Sequence, residues 1–222
     1  MATHSSHEHR RRTIPSVLLL LCALIGMIYG SGTSALNHTG PGLLAMLLGH
    51  GAAWAGLGVL VGWALRRRGE LSIWRCIAGV VLAFGVAVIT YYATDVLFDL
   101  PGVLRLERSI ADGAIPPLPS GTPVEGVSDF VFGQAQQMTY WMFGAVLLGA
   151  PIALAGVLMA RPDRIGLIAR IAGPLVLVAA MFIIAAPRLV LVCSFLVAAA
   201  WLAIVLLSRA RQAPPKSQGS RV

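Results

Sequence analysis

Charge is scarce in this 222-residue chain: Asp, Glu, Lys and Arg together make up 12% of it, and nine residues are acidic. Soluble domains carry about 25% charged residues, so this composition excludes an ordinary water-covered globule. Lysine is nearly missing, Lys216 being the only one among 17 basic residues, and the bias to Ala, Gly, Val and Arg points to a GC-rich bacterial genome. Three cysteines, Cys22, Cys76 and Cys193, all fall inside or at the end of apolar runs. There a thiol acts as a small hydrophobe, and the odd count without a CxxC pair argues against a disulfide or a thiolate metal site.

Catalytic signatures are missing as well. The sequence has no Walker A loop, no HExxH, no GxSxG and no serine paired with an intramembrane lysine. Paired intramembrane carboxylates are absent, and a haem would need two ligands where His50 stands alone in its apolar run. The reading therefore leans away from an enzyme and expects no catalytic residue, cofactor or metal. A net charge of +8 does not imply nucleic acid, because the arginines are spread over the ends of apolar runs and one tail rather than gathered with aromatics.

What the chain has is apolar length. Mean hydropathy is +0.80, and six apolar stretches occupy 13–30, 42–65, 76–98, 138–160, 165–186 and 189–208. About 20 apolar helical residues cross a bilayer core, so the expected fold is all-α, a transmembrane bundle of six spans. The last two form a nearly continuous run whose length as one helix would be about 66 Å, so a turn is expected at Ala186, Pro187 and Arg188. Residues 1–12 and 209–222 are basic tails, and 99–137, with Pro101, Pro116, Pro117, Pro119 and Pro123, is an irregular outer loop. Within it Val103, Leu106 and Ile110 share a face that predicts a short surface helix.

Basic residues mark every second connection: Arg10, Arg11 and Arg12; Arg66, Arg67, Arg68 and Arg75; Arg161, Arg164 and Arg170; Arg209, Arg211, Lys216 and Arg221. Six of the nine acids (Asp95, Asp99, Glu107, Asp112, Glu125, Asp129) lie on the other side. By the positive-inside rule both termini are cytoplasmic in a multi-pass cell-membrane protein. Trp63 and Trp74 fall near the inner ends of spans, and Tyr29, Tyr91, Tyr92, Tyr140 and Trp141 near outer ends, as interface anchors do. A second reading of the first span is a cleaved signal peptide with Arg10–Arg12 as its basic region, which leaves five spans in the same orientation.

Residues 47–56 (LLGHGAAWAG) and 147–156 (LLGAPIALAG) coincide at Leu, Leu, Gly, Ala, Ala and Gly with an offset of 100. Spans two and three thus resemble spans four and five, as a two-helix hairpin repeated in parallel or as a shared packing demand. Small residues four apart let helices approach closely in lipid. Gly26 and Gly30 form such a pair, Gly51, Ala55, Gly58 and Gly62 a stripe, and Gly149, Ala153 and Gly156 another.

A polar residue in hydrocarbon is a functional hypothesis by default. Counted outward from Glu70, His50 and Tyr91 fall at similar depth, with Asp95 one turn above Tyr91 on the same face. His50, Tyr91 and Asp95, topped by Gln134, Gln137 and Tyr140, form a candidate cluster for a small polar solute or for proton relay. Plainer readings stand beside it: a core histidine bonded to a neighbouring carbonyl, and an interfacial acid reaching water. His4, His7 and His9 are a weak metal-binding pattern, and Asn37-His38-Thr39 a glycosylation sequon that matters only in a eukaryotic secretory pathway.

Six short spans, the Tyr91-Tyr92 pair late in the third and the Gly149-Ala150-Pro151 break in the fourth resemble uncharacterised six-span membrane proteins of actinobacteria. That family has no assigned activity, so the resemblance implies the topology and transfers no site. Six spans in about 200 residues also resemble the substrate-binding subunits of vitamin-uptake transporters, which borrow an ATPase partner. Two function classes follow: a solute-binding or transport-related protein, and a structural or regulatory membrane protein acting through helix contacts such as Gly58 and Gly62.

Overall fold

The computed structural model describes residues 5–68, 71–114, 126–183 and 188–212. They form seven helices, with no strand among the described residues: α1 (Ser5–Thr39), α2 (Gly42–Gly49), α3 (Gly51–Arg68), α4 (Ile73–Ala111), α5 (Val127–Met159), α6 (Arg164–Ile183) and α7 (Arg188–Gln212). Helices α1, α4, α5 and α7 are long and apolar enough to cross a membrane, and α2 with α3 makes a fifth candidate if that bent pair is one span. The chain divides into two compact units, Met1–Ala160 and Arg161–Val222.

In the first unit α4 is the central element. Cys76, Val80, Ala83, Phe84, Ala87 and Val88 are buried along it at the three- and four-residue spacing of one helical face. On one side α1 runs parallel to α4, with Gly26 opposite Ala83 and Gly30 opposite Ala87. A Cβ at either glycine would stand 2.1 Å from the facing carbonyl oxygen, so the two backbones touch where no side chain fits. Dispersion between such surfaces drives helix association in lipid. On the other side α3 packs closely on α5: Gly156 meets the Val59 carbonyl, and Gly62 meets Ala153, which is fully buried. Gly58 lies against Phe84 and Ile152, and Gly149 against Val81.

Gly51 departs from this pattern. The expected packing stripe includes it, yet a Cβ there would meet nothing within 4 Å, because the helix breaks just before it. Ala55, from the same stripe, is only partly buried. The break also separates the two matched decapeptides. Residues 47–56 are interrupted at His50 with a 57° bend, whereas 147–156 run unbroken through Pro151 inside α5. Glycines on both sides of His50 each lower helix propensity by about 1 kcal/mol relative to alanine, and Pro151 has no such neighbours on both sides.

Several helices outrun the expected spans. α1 continues past Gly30 to Thr39, α4 past Phe98 to Ala111, and α5 starts at Val127 instead of near Met138. With 39 residues, α4 is about 58 Å long against a bilayer core of about 30 Å. The separate surface helix expected around Val103–Asp112 is the continuation of α4. Pro101 removes one backbone donor without ending the helix, and Arg105 Nε caps the Pro101 carbonyl at 3.1 Å. The helix stops at Gly113, whose φ of 67° suits glycine; the Gly113 and Ala114 N–H groups bond to the Ile110 and Ser109 carbonyls, a Schellman ending. Pro116, Pro117, Pro119, Pro123, Glu125 and the turn at Ala186-Pro187 lie outside the described residues, as do Lys216 and Arg221.

In the second unit, Asp163 starts α6. Its Oδ1 accepts the Gly166 N–H at 3.0 Å, its carbonyl accepts from Leu167 at 3.1 Å, and Arg161 donates to Oδ2. The Gly166 N–H and, next, the Arg161 guanidinium hold this exposed carboxyl below the usual aspartate range. Trp201 Nε1 of α7 donates to the Arg170 carbonyl of α6 at 3.1 Å. Pro174 sits inside α6.

Candidate functional site

Two features of the first unit carry polar or open character: a break between α2 and α3 beside a cavity, and a polar ladder between α1 and α4.

At the break His50 ends α2 and starts α3 with extended backbone (φ −74°, ψ 141°). Such a break strands donors and acceptors that hydrocarbon cannot satisfy. Here they find partners. The Tyr29 hydroxyl donates to the Leu48 carbonyl at 2.8 Å. His50 acts as the N-cap of α3: its carbonyl accepts from Ala53 and Trp54, and its Nδ1 accepts the Ala52 N–H at 3.4 Å. This is a local backbone role, different from both the intramembrane ligand and the carbonyl-bonded core histidine that the sequence suggests.

Gly49 and Gly51, on either side of His50, line a cavity of about 320 Å³. Its walls come from α3, α4 and α5 and from Gly49 at the end of α2, and the large side chains among them are Trp54, Phe84, Tyr91, Tyr92 and Trp141. None of its lining residues is charged. The aromatic rings run in a series: Tyr29 meets Trp54 edge-on at 5.1 Å, Trp54 meets Tyr91 at 6.2 Å, and Tyr91 meets Tyr92 at 5.3 Å. Trp54, and not His50, thus stands at the depth of Tyr91. The bend at His50 moves the first part of span two off the register that an unbroken antiparallel pair would keep.

The ladder joins two facing stripes. From α1 come Ser34, Asn37 and His38; from α4 come Tyr91, Asp95 and Asp99, each one turn beyond the last. Asn37 Nδ2 donates to the Tyr91 hydroxyl at 2.7 Å, and the fully buried Ser34 hydroxyl donates to Asp95. His38 Nε2 lies 3.2 Å from Asp95 Oδ1 and its Nδ1 3.5 Å from Asp99 Oδ1, while the ring stacks on Phe98 at 4.9 Å. A neutral imidazole has one N–H and an imidazolium two, so the protonated ring is the form that donates to both carboxylates.

The structure thus brings Tyr91 and Asp95 together and leaves the remaining members of the expected cluster elsewhere. Gln134, Gln137 and Tyr140 are on α5 and share no hydrogen bond with Tyr91 or Asp95 among the described residues; Tyr140 is exposed and pairs edge-on with Trp141 at 5.6 Å. Their place is taken by Ser34, Asn37 and His38, which lie beyond the apolar stretch ending at residue 30; the sequence marks Asn37 and His38 only as part of a sequon. The signal was present: Ser34 and His38 are four apart and Asn37 is three from Ser34, so an α1 continued beyond Gly30 puts them on one face. Among the described residues no three His, Cys, Asp or Glu side chains converge as metal ligands, and the side chains of His4, His7 and His9 lie outside the described set.

No family model, no curated protein and no solved structure matches this chain.

Proposed function

We propose that this is a multi-pass membrane protein that binds a small molecule in the cavity between α3, α4 and α5. One observation carries the reading: the helix break at Gly49-His50-Gly51 is stabilised by Tyr29 and His50, and both of its glycines line the cavity. Irregular backbone at membrane depth is tolerated where it lines a cavity or is buried in protein, and pockets of this kind, about 300 Å³ or larger with aromatic walls, are the usual form of a small-molecule site. The polar ladder fixes one wall, because Tyr91 both lines the cavity and accepts a hydrogen bond from α1.

In this proposal α6 also crosses, which brings the spans to six, the arginine-bearing connectors face the cytoplasm, and both termini lie there. ATP-driven uptake would need an ATPase partner, since the sequence has no Walker A motif of its own. The reading as a structural protein acting through Gly58 and Gly62 loses support, because those glycines already pack against Phe84, Ile152 and Ala153 of this chain.

A thermal-denaturation assay on the detergent-purified protein tests the proposal, using an organic extract of the native membranes as ligand source. Concentration-dependent stabilisation of the wild type, lost in Gly51→Leu, is expected. Equal melting temperatures with and without extract would count against a ligand site.

A further inference from the structure

The lining of the cavity defines the chemistry of its occupant. Resting on the ligand-site reading above, we infer that the molecule is a flat, uncharged ring system bearing hydrogen-bond-accepting oxygens, of the quinone or ring-ketone class.

Three observations lead there. The lining has no charged side chain; a buried ionic ligand without a counter-charge pays a desolvation cost that apolar walls do not return. Asp95 and Asp99, the nearest acids along α4, are engaged with Ser34 and His38 of α1, so they leave the cavity without a free carboxylate to attract a cation. Shape comes next. Trp54, Tyr91, Tyr92 and Trp141 offer ring faces and edges for stacking, and the glycines at Gly49 and Gly51 put bare backbone beside the space, with nothing within 4 Å of a Cβ at Gly51. A planar molecule fits such walls better than a branched chain.

Polarity supplies the third. The Tyr92 hydroxyl and the indole N–H groups of Trp54 and Trp141 have no hydrogen-bond partner among the described residues, whereas the Tyr29 and Tyr91 hydroxyls are engaged with Leu48 and Asn37. An indole N–H only donates. The unengaged polar groups of the lining aromatics are therefore dominated by donors, and their complement is a carbonyl or ether oxygen.

The test uses three ring-sized probes on the full-length protein in detergent. These are menadione, which is neutral with two carbonyl oxygens; 1,4-naphthoquinone-2-sulfonate, its anionic counterpart; and N-methylquinolinium, a flat two-ring cation. The Trp63→Phe, Trp74→Phe, Trp201→Phe background leaves Trp54 and Trp141 as the fluorescent reporters. Saturable quenching by menadione is expected, with the sulfonate and the quinolinium at least tenfold weaker. Tyr92→Phe should weaken menadione binding about three- to tenfold by removing one donor. Gly51→Leu should abolish saturation while leaving the melting temperature within a few degrees, because the added side chain enters open space. Tighter binding of the quinolinium or the sulfonate would overturn the ligand class and leave the cavity as a site. Linear, unsaturable quenching by all three, unchanged in Gly51→Leu, would overturn both.

Discussion

Gly26 of α1 lies directly on the backbone of Ala83 in α4, so close that a methyl group at position 26 would stand 2.1 Å from the Ala83 carbonyl oxygen. Because the obstacle is backbone, Gly26→Ala can be accommodated only by separating the helices. A loss of about 1–3 kcal/mol is expected, the usual cost of overpacking. Gly32→Ala, two residues beyond the pair's second glycine and with open space around it, should be neutral or stabilising by up to about 1 kcal/mol. Denaturation midpoints of the two variants in the same detergent decide the point, and equal midpoints would contradict the packing.

Ser34 is fully buried and its hydroxyl has Asp95 as its acceptor. Asp95→Ala strands that hydroxyl and should destabilise by about 1–3 kcal/mol. In the Ser34→Ala background the same change should cost clearly less, a coupling readable from a double-mutant cycle. Strict additivity would show that the two side chains do not act together.

His50 caps α3 through Nδ1 and its carbonyl. Replacing it by Ala should cost on the order of 1 kcal/mol, while Ser or Asn, which also cap, should cost less. Hydrogen exchange at the Ala52 amide is the local readout, with faster exchange expected only in the alanine variant. If Ser and Ala behave alike, the cap is not what holds the break.

Asp163 gives a pH dependence of known sign. Its folded-state pKa is lowered by the Gly166 N–H first and by Arg161 next, so its contribution to α6 is present above the unfolded aspartate value and is lost as pH falls through the folded one. Amide exchange at Gly166, corrected for intrinsic rates, should accelerate on acidification below that usual aspartate range. In Asp163→Asn, which keeps the cap without the titrating charge, this pH response should vanish. An unchanged response would assign it to another group.

The long apolar runs were legible because hydropathy over about 20 residues depends on composition alone. The glycine pairs were legible for a similar reason: in lipid, close approach needs small residues at fixed spacing, and Gly26, Gly30, Gly62 and Gly156 all sit against a neighbouring backbone. Helix ends were not. Ser31 and Ser34 lie beyond Gly30, where the apolar run ends, yet their hydroxyls bond within the bundle, Ser31 to the Met27 carbonyl and Ser34 to Asp95, so α1 continues. The break at His50 was hidden for the opposite reason. Its flanking glycines look like one more small-residue stripe, and only tertiary partners such as Tyr29 make the interruption stable. The ladder depended on that same misplaced end of α1, which is why Asp95 and Tyr91 were paired with His50 and Gln137 instead of His38 and Asn37.

In the proposed function the cavity beside Gly49 and Gly51 holds a small molecule. Native mass spectrometry of the protein released from its own membranes in mild detergent measures this directly, for the wild type and for Gly51→Leu side by side. One adduct of constant mass is expected on the wild type, smaller than a phospholipid and absent from the variant. The same adducts on both proteins, or none on either, would contradict it.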